Sequence, residues 1–306
     1  MRFVLGIDIG GTNLVVGSVA EDGSALHALG SEPTGAEAGE RDVLDRLIAL
    51  SKRTIDQTRR EIPDAEIIGV GVGAPGPLDT KSGIVLLTPN LGWVNLPLRQ
   101  IIHDRLKLPA SLDNDANCIT IGTGIGGGII LDGRLYHGAS DCAGEIGHTT
   151  IDSEGRRCKC GNYGCLEAYA SGPNIAVRAC EEIKAGAESR LAQYVGGDLG
   201  RITAQTVYQA AHDGDELAMD VVNDTAKFLG IGIANLLNIF NPEVVVVCGG
   251  VTLAGDHLFT PLRREVARRA FKPAVEVCRI VPCELTGTAG VYGAAKVFLD
   301  SAASRP

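Results

Sequence analysis

Short and long apolar periods alternate along the chain, and together they predict its elements. Residues 4–9 and 14–19 are apolar runs of strand length joined by "GGTN"; the hairpin signal "EDG" at 21–23 leads to a third run at 25–30. Residues 41–61 carry Val43, Leu44, Leu47, Ile48 and Ile55 at helical spacing and predict an amphipathic helix. A strand follows at 67–72 and stops at the rigid "GAPGP". A short helix over 97–106 and a strand ending at Ser111 and Leu112 close this half. Further on, helices are predicted over 173–187, 206–212, 216–240, 261–270 and 289–299, with strands at 244–248 and 275–281. Such alternation makes the chain α/β, and the opening hairpins make its sheet mixed rather than all-parallel. "CITIGTGIGGGIILDGRLYHG" mirrors "VLGIDIGGTNLVVGSVAEDGSALHA" as strand, glycine turn, strand. One such unit per half predicts a duplicated two-domain fold with a cleft between the halves.

Composition narrows the partners. A net charge of −9 repels phosphate backbones and anionic lipid, so neither nucleic acid nor membrane is an expected partner. Apolar runs stay below the length of about 18 residues that a spanning helix needs. "MRFVLGIDIGG" meets an acid and a glycine pair too early for a signal peptide, which predicts a cytoplasmic protein. Of nine cysteines, Cys158, Cys160 and Cys165 crowd together while the others scatter into apolar runs, a pattern for a reducing compartment with one metal site. The 40 glycines cluster beside strands, where a backbone must approach a ligand or another backbone closely.

Five constellations carry candidate chemistry. In "GIDIGGTN", Gly10 and Gly11 bare the backbone amides of a turn for an anion, Thr12 adds a hydroxyl, and Asp8 offers a carboxylate to a Mg²⁺ shell; the plain alternative is a tight hairpin. "GTGIGGG" supplies Thr123, Gly124, Gly126 and Gly127 as a matching phosphate loop, or again as a hairpin turn. It also matches G-x-G-x-x-G, but without the βαβ unit and ribose acid of a dinucleotide site. In "NDAN", Asp115 can accept the proton of an attacking hydroxyl and Asn114 can bond a sugar hydroxyl, while a helix cap is the competing reading. His148, Cys158, Cys160 and Cys165 have the donor types of a closed, structural zinc site, with Arg156, Arg157 and Lys159 at hand to balance its charge. Such a site would fix Glu145 and Glu167 as acceptors for hydroxyls. In "NPEVVVVCGG", Gly249 and Gly250 end a strand either as a flat surface for an adenine or as a strand-to-helix turn.

With "GVGAPGPLD", "GEIGH" and "CKCGNYGCLE" added in the same order, these motifs resemble the ROK family of repressors, open reading frames and sugar kinases over nearly the whole chain, and most of all its ATP-dependent glucokinases. The resemblance implies an actin-like, ribonuclease-H-like sugar-kinase fold: a first domain of 1–118 plus 287–306, a second of 119–286, an interdomain cleft and a structural zinc. It implies Asp115 as general base for the sugar 6-hydroxyl and Asn114, Glu145, His148 and Glu167 on the other hydroxyls, with Gly76 and Asn90 lining the pocket. Asp8, Gly10, Gly11, Thr12, Asn13, Thr123, Gly124 and Gly126 would hold Mg²⁺-ATP, with Gly249 and Gly250 at the adenine. The expected partner is a hexose, glucose first, with N-acetylmannosamine or fructose as alternatives; the assembly expected is a homodimer or homotetramer. A sugar-binding regulator without a DNA-binding module is the rival class. One departure stands out: family members place about twenty residues, including a linking helix, between "NDAN" and "GTGIGGG", more than the minimum crossover length. Here only residues 118–121 intervene, which puts the placement of Asp115 in question.

Overall fold

A computed structural model describes residues 1–88, 90–114, 124–131, 134–285 and 287–303, with Asn114 and Ala303 described at the backbone only. In chain order the elements are β1 (Arg2–Ile9), β2 (Asn13–Ala20), β3 (Leu26–Pro33), α1 (Glu40–Glu61), β4 (Glu66–Ala74), β5 (Leu78–Asp79), β6 (Ile84–Thr88), β7 (Trp93–Leu96), α2 (Leu98–Leu106) and β8 (Ala110–Asn114). There follow β9 (Ile130–Leu131), β10 (Arg134–Leu135), α3 (Glu167–Ala170), α4 (Gly172–Lys184), α5 (Leu191–Tyr194), α6 (Ala204–His212), α7 (Glu216–Phe240), β11 (Val244–Val247), α8 (Asp256–Arg269), α9 (Lys272–Val277), β12 (Arg279–Pro282) and α10 (Ala289–Ala303). Two compact units form, one of Met1–Ile119, Gly126–Gly144 and Gly287–Pro306, the other of Thr120–Ile125 and Glu145–Thr286.

In the first unit the main sheet has the order β3-β2-β1-β4-β8. β2 runs antiparallel to both β1 and β3, whereas β4 and β8 continue parallel to β1, so the sheet is mixed as the hairpins predict. β1 explains why both faces are covered. Phe3, Leu5, Ile7 and Ile9 enter a core shared with Val43, Leu47 and Ile48 of α1, while Val4 packs with Val291, Ala295 and Phe298 of α10. A strand buried on both faces needs the near-continuous apolar run seen at its position. α10 lies so close to the sheet that side chains beneath it are missing: a Cβ on Gly71 would sit 1.7 Å from the Ala294 carbonyl oxygen, and one on Gly69 would sit 1.9 Å from the Phe298 ring. The small sheet β5-β6-β7 has strands too short to show a period in sequence. Among the described residues, the expected mirror of the β1–β2 hairpin is only the two-residue ribbon β9–β10; its first strand, near 119–121, lies outside them.

The second unit is built around α7, whose bounds match the expected 216–240. The Asp215 carboxylate accepts the Ala218 amide at 2.8 Å and starts the helix, and Asn241 in the left-handed region ends it. Val221, Val222, Leu229, Ile233 and Leu237 fill the core between them. Two expectations need correction. α8 begins at Asp256 and carries Pro261 in its interior, where the sequence pattern had read that proline as a first turn. The strand expected over 275–281 splits into α9 and β12: Pro273 is pre-set for a helical first turn, and this outweighs the β-branched Val275 and Val277. β12 runs parallel to β11. No helix among the described residues is long and apolar enough to cross a membrane.

The glycine floor under α10 yields a graded prediction. Gly71→Ala should cost about 1–3 kcal/mol of stability, the usual range for overpacking, because a backbone carbonyl must move. Gly69→Ala should cost less, since the Phe298 ring can swing. Urea melts of the two variants would test the order, and equal midpoints would contradict it.

Candidate active site

At the carboxyl end of the parallel strands, the register sets Asp8 of β1 opposite Gly73 of β4, and Gly73 opposite Asp113 of β8, with Asn114 next in line opposite Ala74. The turn leaving β1 is tight: the Gly10 amide donates to the Asn13 carbonyl at 2.9 Å, and the Thr34 hydroxyl ties down the Gly10 carbonyl at 2.7 Å. Gly11, Thr12 and Asn13 are exposed on this turn. Asn90 is beside it, its Nδ2 3.8 Å from where a Gly11 Cβ would be. Asp8 is largely buried, with its Oδ2 2.1 Å from the position of a Cβ on Gly290, in the first turn of α10. Burial pushes its carboxyl up to about 6. Gly76 has a local explanation: its φ is +89° and a Cβ there would meet the Leu87 carbonyl oxygen at 2.1 Å. The predicted Asp115 and Thr123 lie outside the described residues, as does the side chain of Asn114.

One group at this edge escaped the sequence reading. His137 stands between two carboxylates, its Nε2 3.6 Å from Asp113 and its Nδ1 3.5 Å from Asp141. Asp141 in turn accepts the Thr80 hydroxyl at 2.9 Å. The segment after β10 thereby lies against the buried Asp113, one residue before Asn114. No spacing template links such distant residues.

In the second unit His148, Cys158, Cys160 and Cys165 bring one ligand atom each to within 4.8 Å of one another. The loop is folded by its own backbone: the Cys158 amide donates to the Asn162 carbonyl at 2.8 Å, Gly164 to Arg156 at 2.8 Å, and Leu166 to Thr149 at 3.0 Å. Cys158 Sγ is 3.7 Å from His148 Nδ1, and Cys160 Sγ is 3.7 Å from Cys165 Sγ. A tetrahedral zinc with Zn–S bonds of about 2.3 Å sets its sulfurs about 3.8 Å apart, so the donor set fits that ion. Burial pushes the Cys165 thiol up to about 12, while the Asn162 amide lowers Cys160; a cation would favour the thiolate at both.

The expected carboxylates hang from this loop. Glu145 Oε2 is 4.0 Å from His148 Nε2, the nitrogen facing away from the thiols. At that distance the two groups are neighbours without a direct hydrogen bond. Glu167 opens α3, and its Oε2 accepts the Ile125 amide at 2.9 Å. Tyr169 supports the loop from below, donating to Asp152 at 3.0 Å and accepting the Arg156 amide at 2.8 Å. Arg156, expected to balance the thiolates, instead forks onto Glu181. Gly249 and Gly250 form a strand-to-helix turn: Gly249 has a φ of +95° and Gly250 begins a 3-10 turn.

Asp8 makes stability depend on pH. An acid whose folded pKa, about 6, lies above its ordinary value of 3.8 contributes stability fully below the lower value and loses it as pH rises through the upper one. The ionised carboxylate then costs about 3 kcal/mol near neutrality. Without added Mg²⁺, Asp8→Asn should be more stable than the parent at pH 7.5 and should show a flatter stability profile between pH ~4 and ~6. Urea melts across that window test this, and parallel profiles would contradict it.

The ROK family model matches residues 4–301. A glucokinase of Halalkalibacterium halodurans is 35% identical, over 95% of this chain and 93% of its own. A xylose repressor of Caldicellulosiruptor bescii is 34% identical, over 86% of this chain and 70% of its own. The crystal structure of a ROK family glucokinase from Streptomyces griseus in complex with glucose and AMPPNP has a TM-score of 0.84 at 30% identity, covering 96% of this chain and 98% of that one. With motifs, mixed-sheet α/β fold and relatives in agreement from one end to the other, the chain belongs to the ROK family.

Proposed function

We propose that the protein is a hexokinase-type kinase that moves the γ-phosphoryl group of Mg²⁺-ATP to the 6-hydroxyl of glucose. The observation that carries this reading is the gathering of Asp8, the exposed Gly11–Thr12–Asn13 turn and Asn90 around the carboxyl end of β1, with β8 ending in Asp113 and Asn114 at the same sheet edge. Glucokinases among the relatives support the choice of sugar, and the AMPPNP complex of one of them supports the choice of donor.

Phosphoryl transfer asks a protein mainly for positioning and charge stabilisation. The turn amides and the Thr12 hydroxyl, with Thr123, Gly124 and Gly126, would hold phosphate oxygens. Asp8 would sit in the hydration shell of Mg²⁺, an ion that supplies neutralisation of charge on the phosphates. Asp115 would accept the proton of the 6-hydroxyl as its oxygen attacks phosphorus. Asn114, Glu145, His148 through Nε2, and Glu167 would bond the remaining hydroxyls. A zinc held by His148 Nδ1 and the three thiolates has no open position, so its part is to hold these side chains in place.

The xylose-repressor relatives favour a second reading, a sugar-responsive regulator that binds without turnover. The four residues between "NDAN" and "GTGIGGG" favour it as well.

ADP release from Mg²⁺-ATP with and without glucose separates the two. Glucose-dependent release is expected; glucose binding with no release, repeated with mannose, fructose and N-acetylmannosamine, would leave the regulator. Asp115→Asn should lower turnover roughly 10²–10⁴-fold while sugar affinity persists, and retention of most of the rate would remove Asp115 from its role. Cys160→Ser, or a strong chelator, should lower the melting temperature and sugar affinity together. An unchanged melt would argue against a structural metal.

A further inference from the structure

The notable contact in the second unit joins two motifs that the kinase reading assigns to different substrates. Glu167, assigned to the sugar, accepts the backbone amide of Ile125, which lies inside "GTGIGGG". The neighbouring residue explains the fit: a Cβ on Gly124 would be 2.6 Å from Glu167 Oε2, so any larger side chain there displaces the carboxylate. Ile125 is fixed on its other sides too. Its side chain is buried in the core of this unit, and its carbonyl oxygen is 2.0 Å from where a Cβ on Gly147 of "GEIGH" would stand. Glu167 is itself anchored. Asn174 donates to its carbonyl at 2.8 Å, Arg178 holds the Tyr169 carbonyl at 3.1 Å, and Tyr169 packs on Phe228 with centroids 4.5 Å apart.

We infer that Glu167 is a positioning residue for the glycine loop as well as a sugar ligand, so that hexose and Mg²⁺-nucleotide binding are coupled through one carboxylate. The inference rests on the kinase reading for its ligands, but the bond on which it turns does not. A carboxylate has about four acceptor positions, so the Ile125 amide leaves capacity for a sugar hydroxyl. A bond from a backbone amide to a charged acceptor is among the stronger kinds, and it fixes the peptide plane directly after Gly124. Whatever shifts this carboxylate shifts that peptide. By linkage the coupling is reciprocal: glucose bound to Glu167 changes nucleotide affinity by the same factor as nucleotide changes glucose affinity.

The test uses the full-length, zinc-replete chain and its Glu167→Gln and Glu167→Ala variants. Three quantities are read: hydrogen exchange at the Ile125 amide, glucose affinity alone, and Mg²⁺-ADP affinity alone. Glutamine keeps a carbonyl acceptor but loses the charge, so Gln should weaken glucose and lower Ile125 protection and Mg²⁺-ADP affinity by less than alanine does. Alanine should weaken glucose, speed exchange at Ile125 by roughly tenfold or more, and weaken Mg²⁺-ADP by at least ~5-fold. If alanine leaves both the exchange and Mg²⁺-ADP affinity unchanged, Glu167 is a sugar ligand alone and the inference is wrong. Should the alanine variant not fold, Gly124→Ala keeps the carboxylate but pushes it away; it should reproduce the fast exchange and the nucleotide loss, and parental values would overturn the inference. Fast exchange at Ile125 in the parent would overturn the positioning role by itself. Failure of the parent to bind either ligand would overturn the kinase reading and the coupling, while the exchange data would still report whether the bond exists.

Discussion

Four donor atoms converging within 4.8 Å set the geometry of the second unit's polar face. The loop that supplies them has few apolar anchors and little regular structure, so its shape depends on the crossed backbone bonds of the 149–166 region and on whatever draws the thiols together. The three sulfurs and one imidazole nitrogen form a donor set with the spacing of a tetrahedral cation. The side chains of this unit that are proposed to meet a sugar follow from that convergence. His148 turns one nitrogen inward and the other toward Glu145, and Cys165 is followed after one residue by Glu167 at the start of α3. Tyr169 and Phe228 then tie the motif into the helical core, so a small polar loop inherits the stiffness of α7.

The first unit solves a different problem, how to hold a carboxylate largely away from water. Asp8 lies on the α10 side of β1, the side on which Gly6, Gly69 and Gly71 let the helix approach. Close approach removes solvent from the carboxylate, and its proton affinity rises in consequence. A buried acid that is destabilised when ionised has a standing reason to bind a cation, or donors arrayed around one. With α10 further away, Asp8 would be an ordinary surface acid.

Much of this was legible in the sequence where one local rule acted alone. α7 was readable to the residue because an acidic cap, a long apolar period and a terminal asparagine all agree. The donor set was readable because three closely spaced cysteines and a histidine are the donor types of one closed metal site. Legibility failed where two rules competed or where partners were distant. Val275 and Val277 favour a strand, but Pro273 had already set a helical turn. The His137 bridge joins three separate stretches of chain and leaves no spacing to recognise. Arg156 was assigned by proximity in sequence to the thiols, whereas Glu181, on α4, presents a closer and bidentate partner.

Glycine motifs show most clearly why residue type alone underdetermines a site. Gly10 and Gly11 sit on a tight turn, where Gly10 lets the Asn13 carbonyl come close to its own amide and Gly11 stands exposed beside Asn90. Gly76 is as conspicuous in sequence, yet a neighbouring carbonyl and a left-handed φ account for it. Gly124 belongs to neither kind. It reads as part of a phosphate loop, but what occupies the space beside it is a carboxylate of the protein itself. Removing a Cβ admits whatever must come close, and an internal acid qualifies as well as an external phosphate. The loop that would meet the nucleotide is thus shaped from behind by Glu167, a residue whose type and position in "GCLE" point to the sugar.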